Sequence, residues 1–315
     1  MSVSGGKKPS KGFWLRLVGS LLSVGLIGFL IWQNWSDFIE AIGRLPFRLL
    51  VLLFVLALLS RVMVTLRWFI LLRLVEPEVT IWTAFKLSFL GLFTTNVLPS
   101  TIGGDLVKLI GANRFGLDSA NVAASLVVDR LLGMASMATF LPFGMVPLIQ
   151  AQSVSKLTQA ATVHLVFTRL WKKLWEFIKR VWQSLKIWLN HPMRLLLAAA
   201  TSYIHMACTF TMVLLIVAGL GEHISWWRAG GLWVFVYFIT LIPISINGLG
   251  VQEVSLSFVY STFAGISEAN SLVLALLIRI LFMMASLPGA FFLPGILTGD
   301  WRAFRYRQMK VSPDD

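Results

Sequence analysis

Across 315 residues, 57% are hydrophobic and only 13% are charged, with a mean hydropathy of +0.80. Soluble domains carry roughly a quarter charged residues, so a water-soluble fold is excluded. The formal net charge of +13 falls in blocks beside apolar runs, which points to anionic lipid headgroups as the counter-charge and away from nucleic acid.

From the N-terminus, Lys7, Lys8, Lys11 and Arg16 precede an apolar run that ends at Trp32 without a small-residue cleavage pattern, so the run is read as a retained first span. A helix needs roughly 20 apolar residues to cross the hydrocarbon. Runs of that kind predict an all-α polytopic membrane bundle of about eight spans, near 15–33, 46–66, 82–98, 122–150, 194–219, 229–246, 252–266 and 271–297. Basic residues mark one side: Lys7 to Arg16, Arg67 and Arg73, seven Lys or Arg from Lys156 to Lys186, and Arg302 to Lys310. Both termini are then cytoplasmic at the inner (plasma) membrane, with a basic N-terminus at 1–14, one transmembrane domain at 15–298 and a tail at 299–315. Arg61 and Arg67 are expected to snorkel to the cytoplasmic headgroups.

Within the long connection at 151–192, Phe167, Leu170, Leu174, Phe177, Ile178, Val181, Leu185 and Trp188 recur at helical spacing. Arg169, Lys172, Lys173, Lys179 and Arg180 fill the opposite face, and Trp171, Trp175 and Trp182 add aromatic anchors. This pattern predicts an amphipathic helix over about 165–190 lying in the headgroup plane; a partner-binding helix would carry the same pattern.

Two interrupted apolar segments stand out. One reads Asn96-Val-Leu-Pro99-Ser-Thr-Ile-Gly103-Gly104-Asp105, and the other Thr240-Leu-Ile-Pro243-Ile-Ser-Ile-Asn247-Gly248-Leu-Gly250-Val-Gln252-Glu253. Each half continues to a charged position, Asp129-Arg130 or Arg279, then to Met-Ala-Ser and a Leu-Pro pair at 141–142 or 287–288. The halves, about 82–150 and 229–297, look like copies of one unit, and the expected topology makes the repeat inverted. Proline removes a backbone donor and glycine weakens a helix, so Pro99, Gly103, Gly104, Pro243, Asn247, Gly248 and Gly250 are expected to break two helices. The restarted helices offer unpaired N–H groups around a polar cavity. Such residues are also common in membrane helices whose neighbours repair the kink, but two matching elements, each followed by charge, favour a cavity.

Near the breaks lie Asp105, Lys108, Asp129, Arg130, Glu253 and Arg279, the candidate substrate-binding residues. Each would cost at least about 2.5 kcal/mol facing lipid at mid-membrane, so they are expected to face inward. Asp105 and Lys108 are three apart and form a plausible local pair. Arg130 and Arg279 can fork a phosphate, and Asp129 and Glu253 can balance them or meet an amine. Ion pairs that only lock helices together are the competing reading. His164, His191, His205 and His223 have no metal spacing, Cys208 stands alone, and no nucleotide, zinc-hydrolase or serine-hydrolase motif occurs, so no metal, cofactor or catalytic residue is assigned.

The segments from Asn96 to Asp105, Val127-Val-Asp129-Arg130-Leu-Leu-Gly133 and Pro243 to Glu253 resemble the lysylphosphatidylglycerol synthase transmembrane family, over roughly Gly19 to Pro294. The resemblance implies a helical bundle with re-entrant elements and translocation of a polar or anionic lipid headgroup. It does not imply aminoacyl-lipid synthesis, which in that family belongs to a separate soluble domain. Lys108 and Gln252 stand where the family often has arginine, which allows a different headgroup. The alternatives are a non-catalytic accessory subunit of a lipid- or glycan-modifying enzyme and a membrane-embedded polyprenyl-sugar transferase. A homo-oligomer or an enzyme partner is left open.

The charge blocks predict that cysteines placed singly at Ser4, Ser184 and Ser312, in a Cys208→Ala background, stay protected from an impermeant thiol reagent in intact cells. Labelling at Ser184 with both termini protected would overturn this topology.

Overall fold

The computed structural model describes residues 35–97, 103–144, 186–241 and 250–294, with four isolated helical positions between 25 and 32. Pro99, Pro243, Asn247 and Gly248, most of the expected interfacial helix at 165–190 and nearly all of the first span lie outside the described residues.

Helices account for the described architecture: α1 (Trp35–Gly43), α2 (Phe47–Val75), α3 (Ile81–Val97), α4 (Gly103–Arg114), α5 (Ser119–Ala138), α6 (Pro192–Gly219), α7 (Trp226–Thr240), α8 (Val251–Ala264) and α9 (Glu268–Ser286). A helical turn at Lys186–Leu189 precedes α6, and a 3₁₀ turn at Leu287–Phe292 follows α9. Start signals are local. Asp118 accepts N–H bonds from Ala120 and Asn121 to open α5, Ser225 and Ser267 cap α7 and α9, and Pro192 begins α6 at a position where its missing donor is harmless.

Among the described residues, three helices have the length and apolar content to cross a membrane: α2, α6 and α9 extended by its 3₁₀ turn. At 29 residues, α2 is roughly 43 Å long at 1.5 Å per residue, continuing well past its expected end near 66. It packs against α3, α5, α6 and α9, which makes it the central post. Its Val51, Leu52, Val55 and Leu59 point outward, as do Met193 and Leu196 of α6 and Met283, Met284 and Phe291 at the end of the second repeat. Apolar side chains on both the inside and the outside are the mark of a chain solvated by lipid.

Four of the remaining helices form two hairpins. α3 and α4, of 17 and 12 residues, pack side by side. Their closest approach is Gly91 against Gly104, where a Cβ on either glycine would strike the other's carbonyl oxygen. α7 and α8, of 15 and 14 residues, repeat this form, with the Tyr260 hydroxyl donating to the Ala229 carbonyl at 2.6 Å. As described, each arm is shorter than the roughly 20 residues of a full crossing, although 82–98, 229–246 and 252–266 were expected as spans.

The repeats exchange their ends. Gly144, in the Leu141-Pro142 turn of the first repeat, lies against the backbone of Gly231 on α7, and Gly289, in the Leu287-Pro288 turn of the second, lies against the backbone of Phe89 on α3. Aromatic rings line both crossings: Phe140 and Phe143 against Trp227, and Phe292 against Trp82. This reciprocity is that of a two-fold interface, here within one chain.

Because the obstructing atoms at both crossings are backbone, Gly144→Val and Gly289→Val should each destabilise the protein by about 1–3 kcal/mol or more. A lower melting temperature in detergent for both, with no change for Gly43→Ala, whose added Cβ meets nothing, is the expected result. Wild-type melting of both valine variants would show that the crossings yield easily.

Candidate functional site

The central post carries two arginines into the interior. Arg67 is 8% exposed and grips Asp129 of α5 in a fork, Nε to Oδ1 at 2.7 Å and Nη2 to Oδ2 at 3.1 Å. Its Nη1 donates to the Ser202 hydroxyl of α6 at 3.2 Å, and its guanidinium covers Gly133, where any side chain would displace it. One guanidinium thus fastens α2, α5 and α6. This corrects two expectations: Arg67 does not snorkel to the headgroups, and Asp129 is committed to it and not offered to an amine. The physical reason is the length of α2, which runs to Val75 and leaves Arg67 in the interior. Arg61 does not snorkel either. Its guanidinium lies 4.1 Å over the Phe282 ring of α9, a cation–π arrangement.

In the first repeat, α4 starts at Gly103-Gly104 and places Asp105 in its first turn, where the helix dipole favours an anion. Arg130 of α5 donates to the Asp105 carboxylate, and Lys108 Nζ stands 3.9 Å from its other oxygen. The expected Asp105–Lys108 pair is present, but the carboxylate is shared with Arg130. Lys108 is buried, its ammonium 4.9 Å over the Trp68 ring of α2, and Trp68 in turn donates to Ser125 of α5 at 3.1 Å.

The second repeat reproduces this arrangement. Gly250 adopts a φ of +79°, a left-handed conformation suited to glycine, and directs the chain into α8. Glu253 in the first turn reaches back to the Gly250 N–H at 2.8 Å and pairs with Arg279 of α9 at 3.2 Å. Arg279 also donates to the Gln252 side chain at 3.1 Å. Each half therefore restarts a helix, places an acid in its first turn and holds that acid with an arginine of the next long helix. Exposure separates the two pairs: the Arg130 side chain is 48% exposed and that of Arg279 only 14%.

Between the halves stand groups that reading the sequence missed. His205 of α6 shares a 2.7 Å hydrogen bond with Ser60 and lies within electrostatic range of both Arg61 and Arg67. Tyr237 of α7 is close enough to feel Arg67, Asp129 and Arg130. The six expected residues thus fall into two clusters, one per repeat, joined through α2, His205 and Tyr237. The two arginines were detectable: the apolar run resumes at Trp68 and continues to Leu72, so Arg61 and Arg67 interrupt one span and do not end it. His205 and Tyr237 leave no comparable trace. Among the described residues, no three His, Cys, Asp or Glu side chains gather as metal ligands.

With the repeated acid–arginine pairs in place, the comparison with protein families decides the relationship. The profile described as lysylphosphatidylglycerol synthase TM region matches residues 16–289. The chain belongs to this family. Curated proteins give no match. Membership in the lysylphosphatidylglycerol synthase transmembrane family agrees with the all-α bundle, the described helices long and apolar enough to cross a membrane and the outward-facing apolar surface, and the chain is a membrane protein. In this family member the Arg67–Asp129 fork is distinct from the two acid–arginine pairs, because it joins the central post to the first repeat.

Removing one partner of the fork leaves a buried charge. Asp129→Asn should lower stability by about 3–5 kcal/mol, and adding Arg67→Gln should restore most of it. Melting of the single and double variants in detergent checks this; a double variant no more stable than Asp129→Asn would contradict the orphaned-charge account.

Proposed function

We propose that this protein translocates a polar or anionic lipid headgroup across the inner (plasma) membrane, with both termini cytoplasmic and no covalent chemistry. The observation that carries the reading is the duplicated Asp105–Arg130 and Glu253–Arg279 pairing at the starts of α4 and α8. Ionisable residues at membrane depth cost enough that they mark substrate paths, and helix starts facing a cavity are where transporters hold anionic groups. An arginine paired with a carboxylate can exchange that partner for a lipid phosphate without ever being left bare. The charged interior would carry the headgroup while its acyl chains remain in the surrounding bilayer, against the apolar outer faces of α2 and α6.

The unequal exposure of the two pairs fits one state of an alternating cycle, with the Arg130 pair open and the Arg279 pair closed. The two halves form an inverted repeat in this reading, so exchanging their conformations would open the opposite side. The end-exchanged Leu-Pro turns would couple them, since each turn rides on the first helix of the other half.

Proteoliposomes carrying the full chain should move fluorescent phosphatidylglycerol between leaflets. Asp105→Asn, Glu253→Gln and Arg279→Gln should each reduce the rate at least about tenfold, the scale of removing one charge-assisted hydrogen bond from a dry site. Wild-type rates in all three correctly inserted variants would leave these charges as structure and sink the transport reading.

A further inference from the structure

Counted from the equivalent arginines Arg130 and Arg279, the surroundings of Arg67 and Arg61 correspond position by position. Arg67 covers Gly133, three residues after Arg130, and pairs with Asp129, one residue before it. Arg61 covers Phe282, three residues after Arg279, but one residue before Arg279 stands Ile278, fully buried and one turn from Phe282 on the same face of α9. The central post thus sends one arginine into each repeat at matching places, and only the first repeat supplies a carboxylate.

The consequence is an excess of positive charge in the second cluster. Arg61 and Arg279 are close enough to repel each other, and Glu253, already bonded to the Gly250 N–H, is the carboxylate paired there among the described residues. Nε of Arg61 and Nε of Arg279 are both buried, and neither has a hydrogen-bond partner among the described residues. Two guanidinium donors left unused at this depth are costly unless an acceptor arrives. Helix α8 begins beside Arg279, whose partners Gln252 and Glu253 lie in its first turn, and adds the dipole of a 14-residue helix.

We infer that Arg61 and Arg279 together form an occluded site for a phosphate-bearing anion, carried by a membrane lipid headgroup, with the site created by Ile278 standing where the first repeat has Asp129. The inference rests on the transport reading and deepens it, since it assigns the closed binding position to the second repeat and selects an anionic phosphodiester over a cationic aminoacyl headgroup. The carboxylates of the two clusters support that selection: Asp129 is committed to Arg67, Asp105 to Arg130 and Lys108, and Glu253 to Arg279. Planar guanidinium groups match phosphate oxygens in pairs, which an ammonium cannot do.

The test uses the full chain in phosphatidylcholine nanodiscs, with fluorescent phosphatidylglycerol as probe and phosphatidylglycerol, diacylglycerol of the same chains and inorganic phosphate as competitors. Arg61→Gln should weaken phosphatidylglycerol binding about tenfold, the cost of one charged hydrogen bond, with Arg61→Lys between it and wild type. Ile278→Asp should weaken binding by a similar factor while melting at or above wild type, because the new carboxylate satisfies Arg61 internally. Diacylglycerol should not compete. Competition by inorganic phosphate would assign recognition to the phosphate group alone, and competition by the lipid only would assign it to the whole headgroup; either supports the site. Wild-type binding in both Arg61→Gln and Ile278→Asp overturns it, as does an Ile278→Asp protein that melts well below wild type, which would mean Arg61 does not reach that position. Arg61-dependent binding without translocation would keep the site and remove the transport reading, whereas translocation with wild-type binding in Arg61→Gln would do the reverse.

Discussion

Burying a guanidinium at the depth of Arg67 costs more than neighbouring apolar packing can offset, so the fork with Asp129 decides where α5 and α6 can lie against the central post. Both oxygens of one carboxylate and a serine hydroxyl are needed to use the donors of Arg67, which fixes rotation as well as distance. Gly133 completes the constraint by leaving room for the planar group. Around this fixed centre the two hairpins can be placed, the first through Lys108 over Trp68 and the second by way of α9, where Phe282 under Arg61 also meets the Trp233 ring of α7.

The functional clusters depend on the same centre. Asp105–Arg130 and Glu253–Arg279 tie the starts of α4 and α8 to α5 and α9, and each hairpin is also packed into an apolar core and pinned by one glycine-tight backbone approach. The bundle therefore combines a central post with two short hairpins packed around it.

Much of this was legible in the sequence. Hydropathy gave the helical membrane class, Pro and Gly with following acids gave the two breaks, and the residue order after each break gave the repeat. Spacing also gave the Asp105–Lys108 pair, because an i,i+3 relation is local. What escaped were pairings between distant helices: Arg67 with Asp129 is separated by 62 positions and Ser60 with His205 by 145. Periodicity carries no information about which faces meet. Arg67 was misplaced for a related reason, since a basic residue at the end of a long, mostly apolar stretch reads as a span end unless the apolar run that follows is counted with it.

The exchanged ends have a further consequence. A chain carrying a single repeat would have no α3-like or α7-like surface to receive its own Leu-Pro turn except on a second copy, so the unit is by construction one half of a dimer. Fusing the halves preserves that pairing while releasing it from symmetry. In a dimer of identical subunits an acid at the Asp129 position would occur twice and both arginines of a shared centre would be neutralised. One continuous polypeptide can keep the acid on one side as a hinge pin and place isoleucine on the other, turning a structural duplicate into two positions of unequal chemistry.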